Sequence, residues 1–312
     1  MTHAIRPVDF DNLKTMTYEV TGRVARITFN RPEHGNAIVA DTPLELSACV
    51  ERADLDPDVH VILVSGRGSG FCAGFDLSAY AEGSSSAGGG EAYRGTVLSG
   101  RTQALNHRPD QPWDPMIDYQ MMSRFVRGFA SLMHADKPTV VKIHGYCVAG
   151  GTDIALHADL IVAAADAKIG YPPTRVWGVP AAGMWAHRLG DQRAKRLLFT
   201  GDCITGAQAA EWGLAVEAPP PEELDERTER LVERIAALPV NQLIMVKLAM
   251  NSALYNQGVA NSAMISTVFD GIARHTPEGH EFVAQARELG FREAVRRRDE
   301  PFGDYGRRAS GV

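Results

Sequence analysis

At 312 residues, with 45% hydrophobic and 22% charged side chains, the chain has an ordinary globular composition and enough apolar surface for a large core. Its net charge of −6 excludes a general attraction to nucleic acid or to an anionic membrane surface. Cys49, Cys72, Cys147 and Cys203 lie far apart, with no CxxC and no His cluster, which excludes the familiar zinc spacings, predicts no metal and points to a reducing, cytoplasmic setting.

The leader carries Asp9, Phe10 and Asp11 where a signal peptide would need an apolar run. Thr17–Val20 and Arg23–Phe29 are predicted strands around a turn at Thr21 and Gly22, and residues 30–36 form a loop. Asp41 is the expected N-cap of a helix reaching Ala53, with Pro43 and Glu45 in its first turn. The apolar run Val59–Ser65 reads as a strand buried on both faces. A glycine-rich turn, residues 66–74, follows it and leads into a helix near Asp76.

Composition changes over residues 83–117, an insert with a Gly/Ser tract at 83–90 and then Pro109, Pro112, Trp113 and Pro115. Helical spacing returns over Met116–His134, then a strand at Thr139–Ile143, a short helix at Gly150–His157 and a strand at Leu160–Ala164. The apolar stretch Val140–Ala165 is broken by Lys142, His144, Asp153, His157 and Asp159, so it is not a membrane span. From Asp191 the pattern is helical, except for a short strand at Leu214–Glu217 and a triple-proline loop after it. Alternating strands and helices indicate an α/β architecture.

Two segments share a physical logic. Residues 66–77 and 145–155 each carry a strand through glycines into a helix. Glycines at such turns let backbone approach a ligand, and the amides at a helix start are unpaired and sit at the positive end of the dipole. Two facing turns of this kind could hold a developing oxyanion. Neither has the Lys-Ser/Thr of a P-loop or the GxGxxG spacing of a dinucleotide fold.

Three segments, residues 30–37 (NRPEHGNA), 70–77 (GFCAGFDL) and 144–153 (HGYCVAGGTD), resemble the signature blocks of the enoyl-CoA hydratase (crotonase) superfamily in order and spacing. Asp159-Leu-Ile-Val-Ala, Leu197-Leu-Phe-Thr-Gly-Asp202 and Ala209-Ala-Glu-Trp-Gly-Leu214 resemble its later motifs, and the likeness spans residues 17–290. It implies a crotonase-like ββα spiral core over 17–200, carrying the insert, and a helical C-terminal trimerisation region over 201–312 that builds homotrimers or dimers of trimers. It also implies an acyl-CoA substrate, no cofactor beyond the coenzyme A of that substrate, and a thioester carbonyl held by the backbone amides of Phe75 and Gly150. Ala37, Ala73, Asp76 and Leu77 match positions along the coenzyme A channel, while Arg31 and Arg67 stand as candidates for its phosphates or as solvated surface residues.

Hydratases of this superfamily carry two glutamates, one three residues after the oxyanion glycine and one twenty further on. Here those places hold Asp153 and Pro173. Proline has no acid–base chemistry, so the two-carboxylate mechanism is unavailable in its usual form. Asp153 is the remaining catalytic candidate, though a carboxylate one turn into a helix also serves the dipole. Asp118, Tyr119, Tyr171 and Trp177 are candidates for acid–base work or for the pocket wall. The insert is expected near the acyl end, with Trp113, Met116, Met121 and Met122 as an apolar wall or as part of a surface loop. Hydration of a 2-enoyl-CoA is the leading reading. The alternatives are a hydrolase, isomerase or decarboxylase acting on an acyl-CoA, or a non-catalytic acyl-CoA binder. RNA binding would need a clustered basic surface, and Arg296–Arg298 is diluted by Asp299 and Glu300.

Overall fold

A computed structural model describes residues 8–76 and 96–306. Strands β1 (Met16–Thr21) and β2 (Val24–Phe29) pair antiparallel. Gly22 turns the hairpin at φ 60°, a conformation that only glycine reaches at no steric cost. Beyond β2 the sheet is parallel: β3 (Val61–Gly66) lies on β2, and β4 (Thr139–Ile143) lies on β3. The sequence VILVS of β3 is buried throughout, as a strand covered on both faces requires. A second sheet, unforeseen in the sequence, joins β5 (Tyr146–Val148), β7 (Lys168–Gly170) and β8 (Cys203–Thr205), while β6 (Leu160–Ala163) closes the first sheet against β4. The core runs between the sheets and their helices. Phe29 and Phe71 meet edge-to-face at 5.4 Å, and Ile27, Ile62 and Val64 are fully buried. Each such side chain contributes roughly 1.5–3 kcal/mol.

Helix α1 (Asp41–Leu55) starts at its expected cap, one residue early: Ala40 is the N-cap and Asp41 the first helical residue. Helix α2 (Gly100–Asn106) lies in the insert and is capped by Ser99, whose hydroxyl accepts from Thr102 N at 3.3 Å. Helix α3 (Pro115–His134) is capped by Asp114, which accepts from Met116 N at 2.9 Å. It packs on α1 where Gly128 meets Pro43, at a distance with no room for a side chain. The short α4 (Gly150–Ala155) follows β5, and α5 (Trp185–Thr200) bends at Gly190. Leu214–Glu217 forms no strand; only an isolated bridge joins Glu217 to Val162.

Past α6 (Gly206–Glu211) the chain is helical through α7 (Leu224–Ala236), α8 (Val240–Asn256), α9 (Val259–Ala273), α10 (Pro277–Leu289) and α11 (Phe291–Asp299). The last of these returns to the core. Arg175, at the end of a 3-10 turn over Pro172–Arg175, has a side chain only 3% exposed. It pairs with Asp304 at 2.7 Å, Asp299 at 3.1 Å and Asp202 at 3.3 Å, and lies 4.1 Å from the ring of Phe302. No described helix is long and apolar enough to cross a membrane.

Candidate active site

The two glycine turns lie against each other. Val148 N donates to Cys72 O at 3.1 Å, which joins the two turns, while Ile38 N donates to Gly74 O at 2.8 Å and Asp76 N to Ile38 O at 2.9 Å, so Phe75 is also bridged to the segment before α1. Gly74 adopts φ 94°, and a side chain there would come within 2.7 Å of the Ala149 methyl. A side chain on Gly150 would approach the Phe75 ring to 2.8 Å, and one on Gly151 would approach Cys72 O to 2.6 Å. Gly150 is the first residue of α4, so its N–H has no partner within that helix. Its N-cap, Ala149, sits at φ 51°, ψ −128°, a region that costs a non-glycine residue about 1–3 kcal/mol and that surrounding structure must enforce. Asn36 pins the first turn from outside: its amide donates to Arg67 O at 2.8 Å and to Gly70 O at 2.9 Å, and its carbonyl accepts from Arg31 N.

A cavity of about 1400 Å³ opens over these turns. Ala37, Ala73, Phe75 and Asp76 line it, as do Met121, Met122 and Phe125. Leu77 lies outside the described residues. Arg31 does not present a free guanidinium: it donates to Asp76 at 2.9 Å and to Ala37 O at 2.6 Å, with its side chain 17% exposed. Arg67 donates to Asn30 at 3.2 Å. Of the expected apolar wall, Met121 and Met122 face the cavity, whereas Met116 points to solvent and Trp113 turns its indole N–H to Asp118. Helix α2 supplies the remainder of that side, including Gln103, Ala104 and the capping residue His107.

Asp153 is not among the residues lining the cavity. It is buried, with Oδ1 accepting from Ala182 N at 3.2 Å and Oδ2 without a partner among the described residues. Burial pushes its carboxyl well above the ordinary value and the nearby Asp270 adds to this, while the Ala182 and Ala181 amides oppose it. Burial thus favours the protonated form of Asp153. Tyr171 lines the cavity, but its hydroxyl donates to Val179 O at 3.0 Å, and burial pushes its pKa up. Pro173 and Trp177 also line it, and Trp177 stacks on Phe282 at 5.8 Å. Tyr119 is half-buried on α3 and is not among the lining residues.

Asp118 is 2% exposed and stands at a junction. Its Oδ2 accepts from Trp113 Nε1 at 2.7 Å, from Asn106 Nδ2 at 3.1 Å and faces His275 Nε2 at 2.8 Å. Burial alone would raise its pKa, but the His275 bond, the Arg274 charge and the Trp113 bond outweigh it and hold the carboxylate below its usual range. Gly271 on α9 lets this corner close, since a side chain there would meet Asp118 Cβ at 3.0 Å.

Four residues of this corner were missed in the sequence: His107, Asp270, Arg274 and His275. Asp270 pairs with Arg274, and both line the cavity. His107 packs 4.8 Å from His275 and 6.3 Å from Trp177, ring centre to ring centre. Burial, the Arg274 charge and His275 lower its pKa to about 4, against a smaller opposing pull from Asp118. His107, Asp118 and His275 offer three ligand atoms within 4.8 Å of one another. The Asp118 oxygen already serves three donors and Arg274 adds positive charge beside it, so the set is suited to hydrogen bonding rather than to a dication.

The chain matches the family described as Enoyl-CoA hydratase/isomerase over residues 19–107 and 115–292. It is 84% identical in sequence to a solved enoyl-CoA hydratase from Mycobacterium smegmatis, with a TM-score of 0.92 covering 98% of this chain and 100% of that one. An (E)-benzylidenesuccinyl-CoA hydratase from Thauera aromatica is 26% identical over 89% of this chain and 99% of its own length. A 1,2-epoxyphenylacetyl-CoA isomerase from Escherichia coli is 28% identical over 75% of this chain and 80% of its own. The α/β fold, the facing turns and these matches agree, and the chain belongs to the enoyl-CoA hydratase/isomerase family.

Proposed function

We propose that the chain hydrates a 2-enoyl-CoA thioester whose carbonyl oxygen lies between the backbone N–H groups of Phe75 and Gly150. The observation that carries this reading is the contact between the Gly74 and Gly150 turns, which brings two backbone segments to one edge of a cavity large enough for an acyl-CoA. As water adds at C3, charge builds on the thioester oxygen, and preorganised amides stabilise that charge more than they stabilise the neutral carbonyl. Ala37, Ala73 and Asp76 then border the coenzyme A channel. The four cysteines are free thiols, which suits a reducing, cytoplasmic setting.

Incubation with a panel of acyl-CoA thioesters tests the reading. Loss of the enoyl chromophore with recovery of a 3-hydroxyacyl-CoA is expected; release of free thiol without hydration would replace it with hydrolysis. Double-bond isomerisation is the second reading, favoured by Pro173 at the place of the second family glutamate, since moving one proton needs only one base. It predicts conversion of 3-enoyl to 2-enoyl thioesters with no water added.

In this reading the C-terminal helices assemble the chain into a trimer or a dimer of trimers. Val246, Leu248 and Met250 on α8 are 52–66% exposed, and Ile265 and Phe269 on α9 are 50% and 52% exposed, a patch that invites cover. Light scattering should give three or six chains per particle; a monomer at micromolar concentration would overturn the assembly.

A further inference from the structure

We propose that His107, reaching into the cavity from the insert, is the residue that carries the proton during reaction at the acyl group. The cavity's other ionisable side chains near the Trp177 wall are already engaged. Asp270 is paired with Arg274, Asp118 is shared among Trp113, Asn106 and His275, and the Tyr171 proton is directed at Val179 O. Asp153 is buried and not among the lining residues. His107 differs from all of these. Its ring touches Trp177, His275 and His280, yet it makes no side-chain hydrogen bond among the described residues, and it lines the cavity. A half-buried imidazole with an unmatched N–H and lone pair is chemically matched to a water or a substrate atom in that space.

Its position is also apt. Trp177 N donates to Pro173 O at 3.0 Å, so Trp177 and Pro173 form one wall segment, and His107 lies against it. His107 and Pro173 thus both border the cavity beside Trp177. Ring contacts fix its orientation: His275, held by Asp118 and stacked on Trp113 at 4.4 Å, backs it on one side and Trp177 on the other. The groups facing His107 are Arg274, His275, Asp118 and His280, and they leave it neutral, with a lone pair available, at neutral pH.

The step balances with this single group. The water oxygen bonds to C3 while its proton passes to the His107 lone pair, and the C2–C3 π electrons move to form the enolate whose oxygen the Phe75 and Gly150 amides hold. The imidazolium, destabilised where it stands, then returns a proton to C2. The product is the 3-hydroxyacyl thioester and His107 is again neutral.

The water nucleophile rests on the hydration reading, so the test has two arms. In one, His107→Gln and His107→Ala are assayed for hydration across the thioester panel. In the other, wild type and variants are incubated with saturated acyl-CoA in D2O, and deuterium at C2 is followed by mass spectrometry. We expect kcat to fall about 100- to 10,000-fold with KM changed only a few-fold, C2 exchange to fall in parallel, and added imidazole to restore part of the rate in His107→Ala. Exchange that depends on His107 in an enzyme that hydrates nothing would sink the hydration reading and keep the residue's role. Near-normal hydration and exchange in a folded His107→Gln would overturn the role and leave hydration standing. A parallel loss with no imidazole rescue and an altered circular dichroism spectrum would assign His107 to structure, and absence of both activities in wild type would overturn both ideas.

Discussion

The turns around Phe75 and Gly150 and the corner around Asp118 face the same cavity but are built by opposite means. At the turns the chemistry resides in backbone, held by tight glycine contacts and by the strained Ala149 within two short stretches of sequence. At the corner it resides in side chains drawn from α2, α3 and the link after α9, with Asp118 and His275 separated by 157 positions. Backbone donors survive almost any change of side chain nearby, whereas a side-chain constellation can be dismantled and rebuilt from other parts of the chain. One cavity can therefore keep its grip on a thioester while its proton-handling groups are exchanged.

Replacing Gly150 by proline attacks the first region directly, since it removes the N–H and forces a ring toward Phe75 and Ile38. We expect turnover to fall about 100-fold or more with circular dichroism largely retained; an active, folded variant would leave the turns with a purely structural role. At the corner, Asp118→Asn keeps the shape but removes the charge that His275, Trp113 and Asn106 share. Chemical denaturation should register a loss of about 1–3 kcal/mol. An unchanged midpoint would mean that these bonds add nothing to α2–α3–α9 docking.

Asp153→Asn sharpens the contrast between residues that line the cavity and those that do not. Since Asp153 does not line the cavity, turnover should fall by well under the roughly 100-fold that loss of an acid–base group costs. A loss of that size would return Asp153 to the reaction. Stability should respond as well. The folded carboxyl titrates above its unfolded value, so between the two values the unfolded chain has lost a proton that the folded chain keeps, and stability falls as pH rises through that window. Asparagine abolishes this slope, so denaturation midpoints of the variant should gain on wild type toward neutral pH.

The smallest effect concerns His157, whose Nδ1 lies 2.7 Å from Asp153 O and whose pKa burial lowers to about 4. Its sign is opposite. Below about 6.5 the unfolded chain takes up a proton that the folded chain refuses, so stability drops as pH falls from about 6.5 to about 4. His157→Gln should flatten that part of the acid limb, with His107 supplying the remainder; an unaltered limb would assign the acid sensitivity elsewhere.

The parallel strands were legible as runs such as VILVS and TVVKI, because burial on both faces leaves a nearly continuous apolar signature, with Lys142 the half-buried exception. The second sheet was not: β5, β7 and β8 have three residues each, too few for any period to emerge. The glycine turns could be read for their chemistry because everything they need is local. Asp118 was picked out by its place on α3, but its partners could not be. Nothing near residues 107 or 275 signals that folding brings them together, and Asp153, which its position in a motif recommended, is buried and not among the lining residues.

The Arg175 cluster gives residues 299–304 a hold on the pocket. Loss of Asp299 and Asp304 would leave the guanidinium with Asp202 alone, and breaking a buried ion pair costs about 3–5 kcal/mol. That charge sits two positions after Pro173, in the wall of the cavity. A change confined to residues 299–304 would thus strike the substrate's own neighbourhood, more than 120 positions away in sequence.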